Sequence, residues 1–427
     1  MSRKFAQVSA GLFLLLALLA CNAQIDPFAA PSIPATVPVG LPSDTPVVLP
    51  PTLAPLTNTP FTAGATVTLT PTEGATTTAT PQANTPSATP NAAPGVASPA
   101  IQQFKMLDAK TGWAVSDINI LRTGDGGVSW SNSTPQGLSK VGYVAAFFLD
   151  ASSAWFVVPS DDYTTGTLYR TQDGGASWNS VSVGFAGGDL KFIDHNNGFV
   201  LASLGAGAGS EAVAVFQTSD GGATWVRNYT NDPNVSGAGN SLPLSGQKSG
   251  MTFKDNGHGW VAGETPVEDY VYLYASSDGG HTWAQQNVTL PPVQKVMMGA
   301  YPPVFFDQNN AILPVTITAD ANSTLFFVTQ DGGSTWTPTS AVPGLGKYAV
   351  VSAKEAFVWD GGSILYASHD GMLNWTQVHP NVNLTDNLSQ IQFVDANTGW
   401  ALAMDASGHP SLYKTTDGGA TWTVILS

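Results

Sequence analysis

Short apolar runs, broken by clusters of Asp, Gly, Asn and Ser, fill the chain from residue 101 to residue 427. Apolar side chains alternate within the runs and no stretch sustains a 3.6-residue period, so the pattern predicts β-strands throughout this region. Near the C-terminus the predicted strands are 391–394, 400–404, 411–415 and 421–426. The punctuation between the runs is itself periodic. Seven times a Ser or Thr, any residue, an Asp and a Gly occur in that order, with a Trp five positions after the Asp. The pairs are Asp125 and Trp130, Asp173 and Trp178, Asp220 and Trp225, Asp278 and Trp283, Asp331 and Trp336, Asp370 and Trp375, and Asp417 and Trp422. Successive Asp residues lie 48, 47, 58, 53, 39 and 47 positions apart. This is a repeat with insertions, in which each unit buries its apolar face on the next.

A second motif runs in phase with the first. Upstream of each Asp-Gly turn an apolar strand ends in Asp, and five residues later stands an aromatic or large aliphatic residue. These pairs are Asp108 and Trp113, Asp150 and Trp155, Asp194 and Phe199, Asp255 and Trp260, Asp307 and Ile312, and Asp395 and Trp400; the sixth repeat keeps the spacing with Ser352 and Phe357. An Asp carboxylate accepts N–H bonds from the residues just ahead of it, and Gly supplies backbone angles that a Cβ resists. The Trp packs as an apolar wedge whose burial is worth about 3 kcal/mol. Seven copies spread round a ring cannot serve one active centre, so these residues read as framework. Repeat six departs, with Met372 in place of the second Gly and Asn374 in place of Ser or Thr, and reads as a trimmed unit with the weakest turn. Four strands per unit and seven units predict an all-β fold, a seven-bladed β-propeller of four-stranded antiparallel blades over residues 101–427. The chain enters on a first strand near Phe104 and ends after a fourth. Closure is therefore expected from packing of the last blade on the first, with 97–102 available as an edge strand.

Composition divides the chain near residue 100. Residues 22–100 hold 16 Pro and 16 Thr, no Trp, no Tyr and almost no charge, and so read as a disordered Pro/Thr-rich linker. Such a tether reaches on the order of 50 Å as a coil and about 240 Å if fully polyproline-like. Arg3 and Lys4 precede a short apolar segment, Gly11 to Ala20, too short to span a bilayer, which marks residues 1–20 as a signal peptide. Leu18-Leu19-Ala20-Cys21 resembles the lipobox of bacterial lipoproteins, which implies lipidation at Cys21. The expectation is a monomer held at the membrane by its N-terminal lipid, outside the cytoplasm.

Cys21 is the sole cysteine, and the six histidines lack ligand spacing, so no disulfide framework, metal or cofactor is expected. The net charge of −15 dissolves on inspection. Residues 101–427 carry 27 acids and 13 bases, and 13 of the acids are the repeated turn Asp residues, which leaves 14 acids against 13 bases. No basic footprint for nucleic acid is present.

Both repeated motifs lie in turns on one face of a propeller. The loops between second and third strands, and those between successive blades, emerge on the other face, where the chain varies most. The long segments there are 159–167, 203–212, 227–250, 263–271 and 287–303. They carry Asp161, Asp162, Glu211, Glu264, Glu268 and Asp269, with Tyr163, Tyr229, Tyr270 and Tyr301 close by. Carboxylates with aromatics suit sugar hydroxyls, a peptide or a cation alike, and also suit solvated loops.

The run Phe393-Val394-Asp395-Ala396-Asn397-Thr398-Gly399-Trp400, followed by Tyr413-Lys414-Thr415-Thr416-Asp417-Gly418-Gly419-Ala420-Thr421-Trp422, resembles the Asp-box, or bacterial neuraminidase, repeat. Among Asp-box propellers it is most similar to the photosystem II assembly and stability factor family. The resemblance implies a single propeller that holds a partner without catalysing a reaction. That family's arginine-rich patch has no full counterpart, since Arg122, Arg170 and Arg227 are the only arginines after residue 100. Arg122 and Arg170, each three before a turn Asp in adjacent blades, read as surface pairing residues that neighbour each other. A sialidase centre would need an arginine triad, and other glycosidases need two carboxylates across a cleft. The function expected is thus binding of a protein or envelope polymer, partner unknown, with a carbohydrate-binding or glycoside-hydrolysing propeller as the alternative.

Overall fold

The computed structural model describes residues 94–427 apart from Lys140, Tyr143, Val293, Gln294, Thr385, Asp386 and 405–407. The signal segment, Cys21 and the linker up to residue 93 lie outside the described residues. Each repeat folds as its alternation dictates, into an antiparallel meander running one to four in chain order. In the last repeat the strands are Leu388–Phe393, Gly399–Met404, Pro410–Thr415 and Thr423–Leu426, close to the predicted bounds. Repeats two, three, six and seven each form a four-stranded sheet. Repeats four and five share one ten-stranded sheet, joined through the pairing of Glu264 with Gly299. The sheets pack face to face around a ring as a β-propeller, with the first strands innermost.

The two repeated turns are one device. In every repeat the first turn Gly donates its N–H to a carbonyl of the strand-one/strand-two turn: Gly126 to Lys110, Gly174 to Ser152, Gly221 to Asn196, Gly279 to Gly257, Gly332 to Asn309, Gly371 to Lys354 and Gly418 to Asn397, at 2.7–3.0 Å. That bond needs the Gly at φ near +75°, where a Cβ is strained. The turn Asp is held equally closely. Asp220 Oδ1 accepts the Thr218 hydroxyl at 2.9 Å and the Thr224 N–H at 2.8 Å, while Oδ2 accepts the Thr224 hydroxyl at 2.6 Å. Thr218 Oγ1 in turn accepts the Gly222 N–H at 2.9 Å. The upstream Asp residues close Asx turns, as Asp108 does on the N–H groups of Lys110 and Thr111, both at 2.7 Å.

The core lies between sheets rather than within them. At four junctions the strand-two residue of the motif stacks on the strand-one Phe of the next repeat: Trp113 on Phe148, Trp155 on Phe192, Phe199 on Phe253 and Phe357 on Phe393, with centroids 3.6–5.4 Å apart. The turn Trp residues complete these layers edge-on, as Trp283 does on Phe253 and Trp422 on Phe393. Their indole N–H groups have no common partner, and those of Trp225, Trp283 and Trp336 have none among the described residues. Trp130 and Trp422 bond the second residue after their own Asp, whereas Trp178 and Trp375 bond the preceding repeat. Ring packing, not hydrogen bonding, is therefore what the seven tryptophans have in common.

The ring closes through two glutamines. Gln390 Oε1 accepts the Phe104 N–H at 3.1 Å and Gln390 Nε2 donates to the Phe104 carbonyl at 2.7 Å; Gln392 repeats this on Met106 at 2.8 and 2.6 Å. Each side-chain amide acts as an extra peptide group on the open edge of the first repeat's inner strand. Trp400 packs with Met106 and Trp130 and donates to the Gly126 carbonyl at 2.8 Å. The fifth strand of the first sheet is Gly95–Val96, paired with Trp130 and Ser131 on its outer edge. The edge strand thus falls before 97–102, and Ile101 and Gln102 belong to the innermost strand, Ile101–Met106.

Repeat six is not a failed turn. Asn374 Nδ2 donates to Asp370 Oδ2 at 2.7 Å, the bond Ser or Thr makes elsewhere, and the Met372 N–H reaches Ser368 Oγ at 3.0 Å. Met372 has φ +62° and is fully buried beside Ile312 and Val358, with Val350 packed on the same cluster. Ile312 and Val350 stand where five other junctions have an aromatic on a Phe, and the methionine fills the space they leave. Met372→Gly, which restores the repeat pattern, is therefore expected to destabilise the protein by about 2–3 kcal/mol, because the lost burial exceeds the relieved backbone strain of about 1 kcal/mol. Urea unfolding measures it; unchanged or raised stability would refute the compensation.

Candidate functional site

The loops opposite the repeated turns converge unequally. Glu264 ends the second strand of repeat four, Gly259–Glu264, and pairs with Gly299 on Met297–Ala300, the broken first strand of repeat five. This joint brings segments 263–271 and 287–303 together. A Cβ on Gly263 would collide with the Gln247 carbonyl, and one on Gly299 would press on Thr316 Oγ1 and Glu264 Oε2, so both glycines permit the close approach.

Three clefts meet at Glu264. The first, about 330 Å³, is walled by Gly209, Pro266, Met297, Met298 and Thr316; the second, about 180 Å³, by Gln247, Lys248, Ala300 and Tyr301. The third, about 540 Å³, runs past Tyr301, Lys347 and Tyr348 to Ser389 and Gln390 at the inner strands of repeats six and seven. Tyr301 and Tyr348 meet edge to face at 5.7 Å, and burial raises the Tyr348 hydroxyl above its ordinary value, so it is a neutral hydrogen-bonding group at physiological pH. Glu264 is exposed and is the one carboxylate among the residues lining these three clefts. It has no hydrogen-bond or ion-pair partner among the described residues, and the same holds for the Lys347 ammonium.

The other acids expected on this face are mostly consumed by their own loops. Asp162 accepts the Ser160 hydroxyl at 2.6 Å and the Thr164 N–H at 3.1 Å, at the tip of a hairpin where Tyr163 is 76% exposed. Asp161 is exposed on the same tip, and none of 161–163 lines the clefts around Glu264. Asp269 accepts the N–H groups of Lys295 and Val296 at 3.0 and 3.1 Å, and so fixes the connection into repeat five. Glu211 accepts the Ser203 hydroxyl at 2.7 Å and the Lys248 N–H at 2.6 Å. Glu268 is exposed next to this connection. Tyr229 is buried, with its hydroxyl on Leu242, and Tyr270 bonds the Tyr274 hydroxyl at 3.0 Å. The predicted set thus separates into one free cleft carboxylate, Glu264, and several loop-building residues.

Three lysines take places that spacing alone did not reveal. Lys248 Nζ lies within 2.9–3.3 Å of the carbonyls of Glu211, Leu244, Ser245 and Gly246, with burial pulling it down to about 8 against the opposing charge of Glu211. It braces the loop that forms one cleft wall. Arg122 and Arg170 do not pair with each other. Arg122 donates to the Gly174 carbonyl at 2.9 Å, and Arg170 to those of Asp220 and Gly221 at 2.9 and 3.1 Å, so each braces the turn of the following repeat. Lys414 occupies the equivalent position in repeat seven and reaches Ala109 across the closure at 3.3 Å. Lys254 braces repeat five through Gln308 and Gly332.

No family model and no curated relative matches the chain. Solved structures with a similar fold exist. The GH74 xyloglucanase from Xanthomonas campestris superposes with a TM-score of 0.53 at 13% identity, over 78% of this chain and 55% of that one. YCF48 bound to D1 peptide gives 0.48 at 17% identity, over 76% of this chain and 95% of that one. YCF48 from Cyanidioschyzon merolae gives 0.45 at 15% identity, over 76% and 98%. This chain spans about half the length of the xyloglucanase. The likeness to the xyloglucanase shows the β-propeller fold alone.

Proposed function

We propose that this chain is a seven-bladed Asp-box propeller that binds a macromolecular partner at the clefts around Glu264 without transforming it. The count of seven is our reading of the seven sequence repeats; it is supported by the ten-stranded sheet being joined between repeats four and five at one pairing, Glu264 with Gly299. The observation that carries the function is the pairing of roles in the clefts: one partnerless carboxylate and one partnerless ammonium, Lys347, set among Tyr301, Tyr348, Met297 and Met298. Apolar walls with a few unspent polar groups suit recognition. A two-carboxylate hydrolysis would require a second acid at a defined separation, and Glu264 is alone among the lining residues. In this reading Cys21 carries the lipid and the Pro/Thr-rich stretch holds the propeller away from the outer surface of the membrane.

The test uses the full chain in its own envelope, with a photo-crosslinking residue at the half-buried Met297 in the cleft or at Val128 on the opposite, repeated-turn face. Adducts are expected from position 297 and not from 128, and Glu264→Lys should lower their yield about tenfold, the scale of a lost charge contact. Release of reducing ends from an envelope polysaccharide, abolished by Glu264→Gln, would establish the glycosidase instead. Equal labelling from both faces would remove the cleft as the site.

A further inference from the structure

The inner strands leave one pair of main-chain groups open in the third cleft. In every repeat the residue after the first strand donates its N–H into the turn that follows, as Leu107 does to Thr111, Val351 to Glu355 and Val394 to Thr398. These bonds align the repeats and set which main-chain groups face outward, because alternate residues of an antiparallel strand bond its partner. Val394, Gln392 and Gln390 turn to the second strand of repeat seven, whereas Ile391 turns its N–H and carbonyl away from it, toward the inner strand of repeat six. Phe104 is the equivalent residue of repeat one, and there the Gln390 amide meets both groups. Met251 is the equivalent in repeat four, and Asp189 meets its N–H.

Gln390 and Asp189 both stand four residues before the aligning position, and in repeat six that residue is Lys347. An ammonium carries donors alone, so it offers nothing to the Ile391 N–H. Neither main-chain group of Ile391 has a hydrogen-bond partner among the described residues. The Ile391 side chain is buried in the core while the residue borders the third cleft, so the cleft meets its main chain. Glu264 and Lys347 border the same cleft, of about 540 Å³, with the exposed Tyr301 and Leu345 on its wall. Thr316 and Thr318 line this cleft and the first alike, which makes the two one continuous groove.

We propose, building on the clefts as the binding site, that the groove takes an extended peptide segment of the partner: one residue of the segment pairs its N–H and carbonyl with those of Ile391, a Lys or Arg meets Glu264, and an Asp, Glu or terminal carboxylate meets Lys347. An extended residue presents its N–H and carbonyl on one side, which is the complement Ile391 lacks, and the two opposite charges give the segment a direction. A neutral glycan would leave both charges without a counterpart.

The test selects peptides from a random library displayed on phage against the full chain, with a glycan array probed in parallel. The enriched peptides are expected to carry a basic residue at a fixed spacing from an acidic one or from the C-terminus. Glu264→Lys should replace the selected base by an acid, and Lys347→Glu the selected acid by a base, a reversal that loss of structure cannot produce. On the unmodified chain, N-methylation of the single peptide residue that pairs with Ile391 should weaken binding about tenfold or more, and methylation of the residues on either side should not. No enriched peptide, enrichment unchanged in both variants, indifference to methylation at every position, or binding of glycans alone would overturn the peptide. The clefts as the site stand or fall separately, by the crosslinks from position 297.

Discussion

Replacing Gln390 and Gln392 together by leucine is expected to unfasten the ring at its closure and to cost about 4 kcal/mol of stability. The two amides satisfy both the N–H and the carbonyl of Phe104 and of Met106, four backbone groups in all. Leucine keeps the volume and removes every partner. An unpaired buried backbone group costs roughly 1–3 kcal/mol, and water on the inner side of the ring recovers part of that for four such groups. The loss should be local before it is global. Hydrogen exchange at the amides of Phe104 and Met106 is expected to accelerate well below the denaturant concentration that unfolds the remaining repeats. Gln103→Leu is the control, since its amide makes one bond, to Val144, and should cost about 1 kcal/mol. A double variant with exchange at Phe104 and Met106 as slow as in the unmodified chain would show that core packing of Trp400 closes the ring without the amides.

A second large effect is expected in acid. All thirteen repeated Asp residues hold their carboxyls below the usual range. For Asp331 the Thr335 hydroxyl is the leading cause, followed by the Thr335 N–H and the Thr329 hydroxyl, and the pKa is drawn to about 2. For Asp220 and Asp278 partial burial works the other way but is outweighed by the hydroxyl and N–H bonds of Thr224 and Thr282, again to about 2. A carboxyl lower in the folded than in the unfolded chain stabilises the fold above the unfolded value, near 4, and that contribution disappears as pH falls through the folded value. Each turn is well exposed and its single contribution small. The effect rests on thirteen groups taking up protons together. Stability should be nearly level from pH 7 to 5 and fall steeply between pH 4 and 2, with several protons bound on unfolding. Urea midpoints across this range measure it, and a midpoint unchanged from pH 5 to pH 2.5 would remove the turns as the acid-sensitive element.

The architecture was legible because its signals are local. An Asx turn is written within four residues, and the constant order of the two turns, Asp108 before Asp125 and Asp395 before Asp417, sets one turn's Gly beside the other's carbonyl although the number of residues between them varies. What escaped was set by partners far apart in the chain. Gln390 and Gln392 look like surface residues until Phe104 and Met106 arrive from 286 positions away. Arg122 and Arg170 share a sequence position, but the carbonyls they reach belong to the next repeat. Met372 breaks the turn pattern for a reason found in Ile312 and Val350, one repeat earlier and one strand away. Among the loop acids, composition placed Asp162, Glu211, Asp269 and Glu264 on equal footing. Only the three-dimensional loops distinguish the three that hold neighbouring backbone N–H groups from Glu264, which has no partner among the described residues.

The two-residue strand Gly95–Val96 has a mechanical consequence. Any pull on the chain from its N-terminal side arrives at the outer rim of the first sheet, on a strand paired to Trp130 and Ser131 alone, and not at the glutamine joint on the inner wall. Tension would peel this strand first and leave Ile101–Met106 seated between its own sheet and the last one. The short strand thus acts as a sacrificial link: it yields at low load and spares the closure on which the other repeats depend.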